Sequence, residues 1–323
     1  MKLPSLSRIG GGGESPLLWA VPLGRPLGVR LGLHTLFVVW LVAQLISAIR
    51  PDRAGLEFAL PPLVLLLVLV VLHEAAHVCV ARRLRLELSN AVLWPLGGVT
   101  PITHAKTPRQ QRWVAFAGPV LHAGLAVPLG LGVVLLGGPA SSLVFWPIAP
   151  SSTIAQLAAH TGVTSAGLLW VWWAYAVNMI LLLANLLPAY PLDAARIVEA
   201  SIWRRRGREA AAVTTGALGM GVGAGLIVIA AVLEAFGLMA LGAACAAVSY
   251  LERRTARAVI DLADPLFEGP PPVESVPEPD PEQAEARATE QELDRILAKI
   301  SAEGMEALTR AERRLLDRAR AER

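Results

Sequence analysis

The chain has 323 residues, of which 54% are hydrophobic and 17% are charged, and its formal net charge is +3. The apolar fraction is above and the charged fraction below those of an average soluble domain, which is about 45–50% apolar and about a quarter charged. The basic residues lie in short segments and offer no extended face for nucleic acid, so we expect no nucleic-acid partner. The expected surrounding is a lipid bilayer.

Six apolar stretches are each about as long as the 20 or so residues that a helix needs to cross a bilayer. They cover residues 31–49, 58–81, 113–136, 167–187, 210–230 and 232–250. We therefore predict an all-α fold, a polytopic transmembrane helix bundle of about six spans. The last two stretches form either two spans or one long bent segment. Residues 1–30 are predicted to be a cytoplasmic lead-in and residues 31–260 the membrane domain.

Arginine and lysine clusters orient this bundle. They follow the second, fourth and last apolar stretches, whereas the connection 138–166 contains neither residue type. Basic residues concentrate in cytoplasmic loops of membrane proteins. The pattern therefore predicts an integral membrane protein with both termini in the cytoplasm.

The composition changes after residue 260. Residues 261–288 are rich in proline and acidic residues, which is typical of an extended linker. In residues 289–323, apolar residues recur at helical spacing and Gly304 interrupts them. Thr309 and Glu312 then form a capping-box pattern that would start a second helix. We predict a short cytoplasmic helical hairpin as the tail.

The second apolar stretch contains His73-Glu74-Ala75-Ala76-His77, an HExxH motif. Residues four apart share one face of a helix, so His73 and His77 can bind one zinc ion while Glu74 reaches the water that a catalytic zinc site keeps. Ionisable groups in a membrane helix are costly and usually mark function. The alternative is a pair of histidines that hold helices together by hydrogen bonds.

Two histidines leave zinc short of a third protein ligand. The best candidate is Asp193, which follows the fourth apolar stretch and two helix-breaking prolines. The predicted topology places Asp193 at the same depth as His73 and His77. The alternative is that Asp193 caps a helix or pairs with Arg196.

The HExxH motif and the later pattern Asn185-x-x-Pro-x-x-x-Leu-Asp193 together resemble the site-2 protease family of zinc intramembrane metalloproteases. Segments 30–34 (RLGLH), 93–99 (LWPLGGV) and 117–119 (AGP) extend the resemblance over residues 28–197. It implies one zinc ion per chain, held by His73, His77 and Asp193, with Glu74 as the catalytic base.

The same resemblance implies further roles. It places Asn185 close to the substrate backbone and Gly97-Gly98 in a membrane-dipping segment beside the cleft. It implies a zinc-dependent endopeptidase of a bacterial inner membrane that cleaves the transmembrane segment of a single-pass membrane protein. The implied setting is regulated intramembrane proteolysis, in which an upstream protease shortens the substrate first.

Departures from the family pattern leave alternatives open. Ala194 and Ala195 follow Asp193, where the family usually has two glycines, so the turn after the ligand is expected to differ. His122 stands where asparagine is common, and it serves either as a polar contact or as an extra zinc ligand. A catalytically silent homologue that binds membrane helices and a zinc transporter or sensor are the alternative functions.

Overall fold

The computed structural model describes residues 20–25, 29–50, 55–88, 91–98, 105–148, 150, 152–154, 156–157, 166–267, 291, 294–302, 304–305 and 308–321. The predicted lead-in and the predicted Pro/acidic linker therefore lie mostly outside the described residues. The chain divides into two compact units, Met1–Asp261 and Leu262–Arg323.

Helices make up most of the described chain up to Phe267. They are α1 (Thr35–Ala48), α2 (Leu56–Arg83), α3 (Pro108–Leu135), α4 (Ala166–Asn185), α5 (Asp193–Arg206), α6 (Arg208–Val232) and α7 (Phe236–Phe267). Local sequence explains where α3 begins. Thr107 accepts a hydrogen bond from the backbone of Gln110, the Gln110 side chain bonds back to Thr107, and Pro108 occupies the first turn.

Four of the described helices, α2, α3, α4 and α6, are long and apolar enough to cross a membrane. The first predicted span falls on α1, whose 14 residues reach only about 21 Å along the axis, against a hydrocarbon core of about 30 Å. The last predicted span falls on the start of α7, where charged residues from Glu252 onward end the apolar run. The prediction of a polytopic helical bundle is confirmed. Of the six predicted spans, four correspond to described helices of membrane length, and those on α1 and α7 do not.

A small sheet accompanies the helices, and the sequence did not predict it. Its strands β1 (Ala20–Gly24), β2 (Leu31–His34), β3 (Ala91–Trp94) and β4 (Gly97–Gly98) lie in that order. β2 and β3 pair in parallel, and the other two pairs are antiparallel. Strands this short show no readable alternation, and β2 merges with the apolar stretch that continues into α1.

The main apolar core lies between α1, α2, β3 and α4. Among its buried members are Phe37, Val70, Leu93, Trp172 and Leu181. Helix α3 packs against α2, α4 and α5. It therefore contacts both the helix with the HExxH motif and the helix that begins with Asp193.

The second unit contains helical residues 294–302 and helix α8 (Arg310–Ala321). Three buried residues join these segments: Ile296, Leu308 and Leu316. The predicted capping box is present. The backbone N–H of Thr309 donates to Glu312 Oε2 at 2.7 Å, and the Glu312 N–H donates to Thr309 Oγ1 at 3.4 Å. Lys299 adds bonds of 3.1 Å to both oxygens of the same carboxylate.

Candidate metal centre

His73 and His77 lie one turn apart on α2, and both side chains are buried. Their rings meet edge to face with centroids 4.6 Å apart. The two Nε2 atoms are 3.0 Å from each other. The helix therefore points both ring nitrogens at one spot, as the four-residue spacing predicts.

Asp193 is the first residue of α5, and its carboxylate reaches the same spot. Its Oδ2 lies 3.2 Å from His73 Nε2, and its Oδ1 lies 3.3 Å from His77 Nε2. These three residues form a cluster that could hold a metal ion. In a tetrahedral zinc site with bonds of about 2.0–2.2 Å, neighbouring ligand atoms are roughly 3.3 Å apart. The observed spacing fits that geometry.

A hydrogen bond of His77 Nδ1 indicates which ring nitrogen of His77 is available to a metal ion. Nδ1 lies 2.7 Å from the backbone carbonyl oxygen of Val114 on α3. A carbonyl only accepts hydrogen bonds, so Nδ1 carries a proton, and in the neutral imidazole Nε2 is then the nitrogen with a lone pair for a metal ion. Such outer bonds orient metal-binding histidines in many zinc sites.

The buried polar atoms of the cluster also fit a cation. Asp193 Oδ2 is buried and has no hydrogen bond within the described part of the chain. The carboxylate faces the Nε2 atoms of His73 and His77, and a divalent cation at the common centre would compensate its buried negative charge. Two neutral imidazoles with one carboxylate are a usual donor set for zinc.

His73 rests on α3. A Cβ on Gly118 would overlap the His73 imidazole, so only glycine leaves room for the ring. The imidazole of His122 stacks on that of His73, with ring centroids 5.1 Å apart. Its Nδ1 donates to Asn178 Oδ1 at 2.8 Å, and Asn178 Nδ2 donates back to the His122 carbonyl at 2.9 Å. His122 thus lies beside the cluster as a polar contact and is not one of its three members.

The β3–β4 hairpin covers the side of α2 that carries Glu74, which is buried. A Cβ on Gly98 would lie 2.9 Å from Glu74 Oε1, and one on Gly97 would lie 3.4 Å from His73 Nε2. Gly97 also has a φ of +141°, which favours glycine. The pair of glycines therefore allows the hairpin backbone to approach the metal-binding face.

Asn185 ends α4, and its side chain is tied to the protein itself. Its Nδ2 donates to the carbonyl oxygen of Leu96 at 2.9 Å and to that of Leu181 at 3.0 Å. Leu96 is in the turn between β3 and β4. Asn185 thus fixes the hairpin beside Glu74, a link that no local sequence pattern indicated.

Ala194 and Ala195 occupy the first turn of α5, and Ala195 is fully buried. Within the described chain, the non-glycine residues with positive φ are Arg85 and Glu234. Both alanines therefore have ordinary helical backbone. The turn after Asp193 does not need the conformational freedom of glycine here.

A comparison with known protein families agrees with this geometry. The pattern of peptidase family M50 matches residues 62–230, just over half of the chain. Residues 283–319 match a second family, DUF6576, of unknown function. A bundle of membrane-length helices with a buried HExxH motif and a distant aspartate defines a membrane metallopeptidase class. The chain belongs to peptidase family M50, and it is an integral membrane protein.

Relatives support the same assignment. Rip3 of Mycobacterium tuberculosis, named as a zinc metalloprotease, is 32% identical over 229 residues, which are 68% of this chain and 51% of Rip3. The zinc metalloprotease MJ0392 of Methanocaldococcus jannaschii is 26% identical over 190 residues, 58% of this chain and 47% of that protein. The chain thus spans about half the length of the curated relatives it matches.

The fold has a solved counterpart. The site-2 protease from Methanocaldococcus jannaschii superimposes with a TM-score of 0.55 at 18% identity, over 73% of this chain and 95% of that one. At this identity the likeness concerns the fold alone. It agrees with the site-2 protease architecture that the sequence motifs implied.

Proposed function

We propose that this protein is a zinc-dependent intramembrane endopeptidase with one zinc ion per chain. The observation that supports it most is the convergence of His73 Nε2, His77 Nε2 and the Asp193 carboxylate within 3.0–3.3 Å of one another. Two of these groups lie on a helix that could span a membrane. The family membership supports the same chemistry.

Hydrolysis of a peptide bond at this site would need an activated water and a group that moves its proton. Bound zinc would lower the pKa of water toward neutrality and polarise the scissile carbonyl. Glu74 follows His73 directly, about 100° further round the helix, so it takes the proton of the attacking water and passes it to the leaving amine. The hairpin over Glu74 limits the access of water and lipid to that carboxylate.

The substrate is proposed to be a single-pass transmembrane protein that enters from the bilayer. Cleavage within a helix requires a locally unwound backbone, and we propose that this backbone passes beside the hairpin fixed by Asn185. Asn185 would then accept a substrate N–H through Oδ1. We further propose the setting of regulated intramembrane proteolysis, with an upstream protease acting first. The bacterial inner membrane, with both termini cytoplasmic, is the location proposed.

Two other functions use the same residues. A catalytically silent homologue would bind membrane helices without cutting them, and a zinc transporter or sensor would release its ion. The family membership and the intact HExxH motif favour the protease. Cleavage and metal retention separate the three functions experimentally.

The test uses the purified protein in liposomes with a model single-pass substrate. We expect wild-type protein to retain about one zinc per chain and to cleave the substrate. Glu74→Gln keeps the size of the side chain but cannot take a proton, so cleavage should fall by 10²- to 10⁴-fold with zinc retained. Cleavage by Glu74→Gln at the wild-type rate would overturn the mechanism, and zinc bound without any cleavage by wild type would favour the alternatives.

A further inference from the structure

The turn that leads into α5 and the first turn of α5 itself are each hydrogen-bonded to α7. The backbone N–H of Tyr190 donates to Ser249 Oγ at 3.1 Å, and Arg196 Nη2 donates to Glu252 Oε1 at 2.7 Å. Ser249 and Glu252 are three residues apart, so they lie on one face of α7. Asp193 stands between the two points of attachment.

Arg196 joins several of these groups. Its Nη1 donates to Glu199 Oε2 at 3.3 Å, and its guanidinium lies 4.6 Å from the centre of the Tyr190 ring. The Tyr190 hydroxyl donates to the same Glu199 oxygen at 2.8 Å. Burial raises the pKa of Tyr190 far above its usual range, so the phenol remains a donor. Glu199 is only 3% exposed and needs the cation that Arg196 supplies.

Arg196 also connects α5 to α3. Its backbone carbonyl accepts a hydrogen bond of 3.1 Å from Gln111 Nε2. Gln111 lies three residues before Val114, whose carbonyl orients His77. Arg196 itself follows Asp193 by three residues, so both lie on the same side of α5. The first turn of α5 is therefore held by α3 and α7 at once.

We propose that Arg196 is a positioning residue for Asp193. By bridging Glu199 and Glu252 it fixes the first turn of α5, and so it holds the Asp193 carboxylate within reach of both histidines. The proposal rests on the proposed role of Asp193 as a zinc ligand. Arg196 touches neither the metal cluster nor the reacting groups, and it acts through the backbone of its own helix.

Two conservative substitutions test the contacts of Arg196 with Glu199 and Glu252, and both keep a positive charge beside the buried Glu199 carboxylate. Arg196→Lys keeps a cation for Glu199, but a single ammonium cannot make the forked contact with two carboxylates. Glu252→Ala leaves Arg196 paired with Glu199, and the Glu252 side chain is 34% exposed. Both variants are therefore expected to fold. Arg254→Lys on α7 and Glu209→Ala on α6 are matched controls at exposed positions.

The measurement is the rate at which purified, zinc-loaded protein loses Zn²⁺ to a chromogenic chelator. Loss of a residue that supports a metal ligand typically weakens metal binding 10- to 100-fold. We expect zinc release to be faster by about that factor in Arg196→Lys and Glu252→Ala, with wild-type rates in both controls. The visible absorption of Co²⁺-loaded protein should also change in the two variants, because a displaced carboxylate alters the coordination of the ion.

Asp193→Ala in the same assay separates this proposal from the proposed function. Zinc retained by Asp193→Ala would overturn the ligand role of Asp193 and the positioning proposal with it. Zinc lost from Asp193→Ala, with wild-type release rates and cobalt spectra in Arg196→Lys and Glu252→Ala, would overturn the positioning role alone. If Arg196→Lys and Glu252→Ala only lowered the melting temperature, with unchanged zinc release rates and cobalt spectra, the positioning role of Arg196 would also be overturned.

Discussion

Nε2 of His73 lies 3.2 Å from Oδ2 of Asp193, although the two residues belong to different helices, α2 and α5. Helix α3 packs against both of these helices. Its Val114 carbonyl orients His77, and its Gln111 side chain holds the first turn of α5. The geometry of the metal centre therefore depends on α3, which contributes none of the three clustered residues.

Gly118→Ala should displace His73 and so disturb the metal centre. The added Cβ would overlap the His73 imidazole, so the ring must move away from Asp193. We expect zinc affinity to fall about 10- to 100-fold, with overpacking costing about 1–3 kcal/mol of stability. Metal analysis after gel filtration measures the first effect, and a thermal melt measures the second.

Gly124→Ala is the matched control for Gly118→Ala. It lies on the same helix, and a Cβ there meets no atom of the described chain within 4 Å. It should retain wild-type zinc. Equal zinc contents in the two variants would show that the ring of His73 does not need the space at Gly118.

Gly98→Ala should impair catalysis more than metal binding. The new Cβ would lie 2.9 Å from Glu74 Oε1, so either the carboxylate or the hairpin must shift. A displacement of about 1 Å at a catalytic group can cost 10²-fold in rate. We expect a loss of cleavage by one to two orders of magnitude at unchanged zinc content, measured with the liposome substrate. Wild-type cleavage by Gly98→Ala would mean that the hairpin does not hold Glu74.

Restoring the usual glycines after Asp193 should bring no gain. Ala194 and Ala195 already have helical backbone, and glycine inside a helix costs up to about 1 kcal/mol each. The Ala194→Gly, Ala195→Gly double variant should therefore melt earlier and cleave no faster than wild type. If only this double variant showed proteolysis, the silent-homologue alternative would be correct.

The capping box of α8 gives a prediction on pH. Hydrogen bonds from the Thr309 backbone and hydroxyl, then from Lys299, lower the pKa of Glu312 from 4.5 to about 2. Because the pKa is lower in the folded state, the stabilisation is present above about pH 4.5 and is lost as pH falls toward 2. An NMR titration of the Glu312 carboxyl carbon in the intact chain measures this.

Two variants separate the causes of that shift. Thr309→Val removes the hydroxyl bond but keeps the backbone donor, so the pKa of Glu312 should rise toward its usual value. Lys299→Met removes both the hydrogen bond and the charge of the ammonium, so it should also raise the pKa of Glu312. An unchanged titration in Thr309→Val would contradict the assignment.

Some features could be predicted because they are encoded within a few residues of each other. The HExxH spacing places His73 and His77 on one face of any helix, whatever surrounds it. The capping box joins Thr309 and Glu312 across three residues. The long apolar stretches likewise predicted the helices now seen as α2, α3, α4 and α6.

Other features depend on contacts between distant segments. The sheet pairs β2 with β3 across two intervening helices, and neither strand is long enough to show a pattern of its own. The bond from Asn185 to Leu96 and the stacking of His122 on His73 join residues of separate elements. No local periodicity records such pairs, because they follow from how the helices pack.

The order of the amino acids alone indicated where the apolar helices lie, that two histidines share one helix face and that the acid Glu74 is adjacent to them. For Asp193 it gave a candidate and an approximate depth in the membrane. Only the tertiary structure brought that carboxylate to 3.2–3.3 Å from both imidazoles. Helix periodicity is fixed by backbone hydrogen bonds four residues apart, whereas the approach of α5 to α2 is set by packing of α5 on α3 and α6 and by its hydrogen bond to α7.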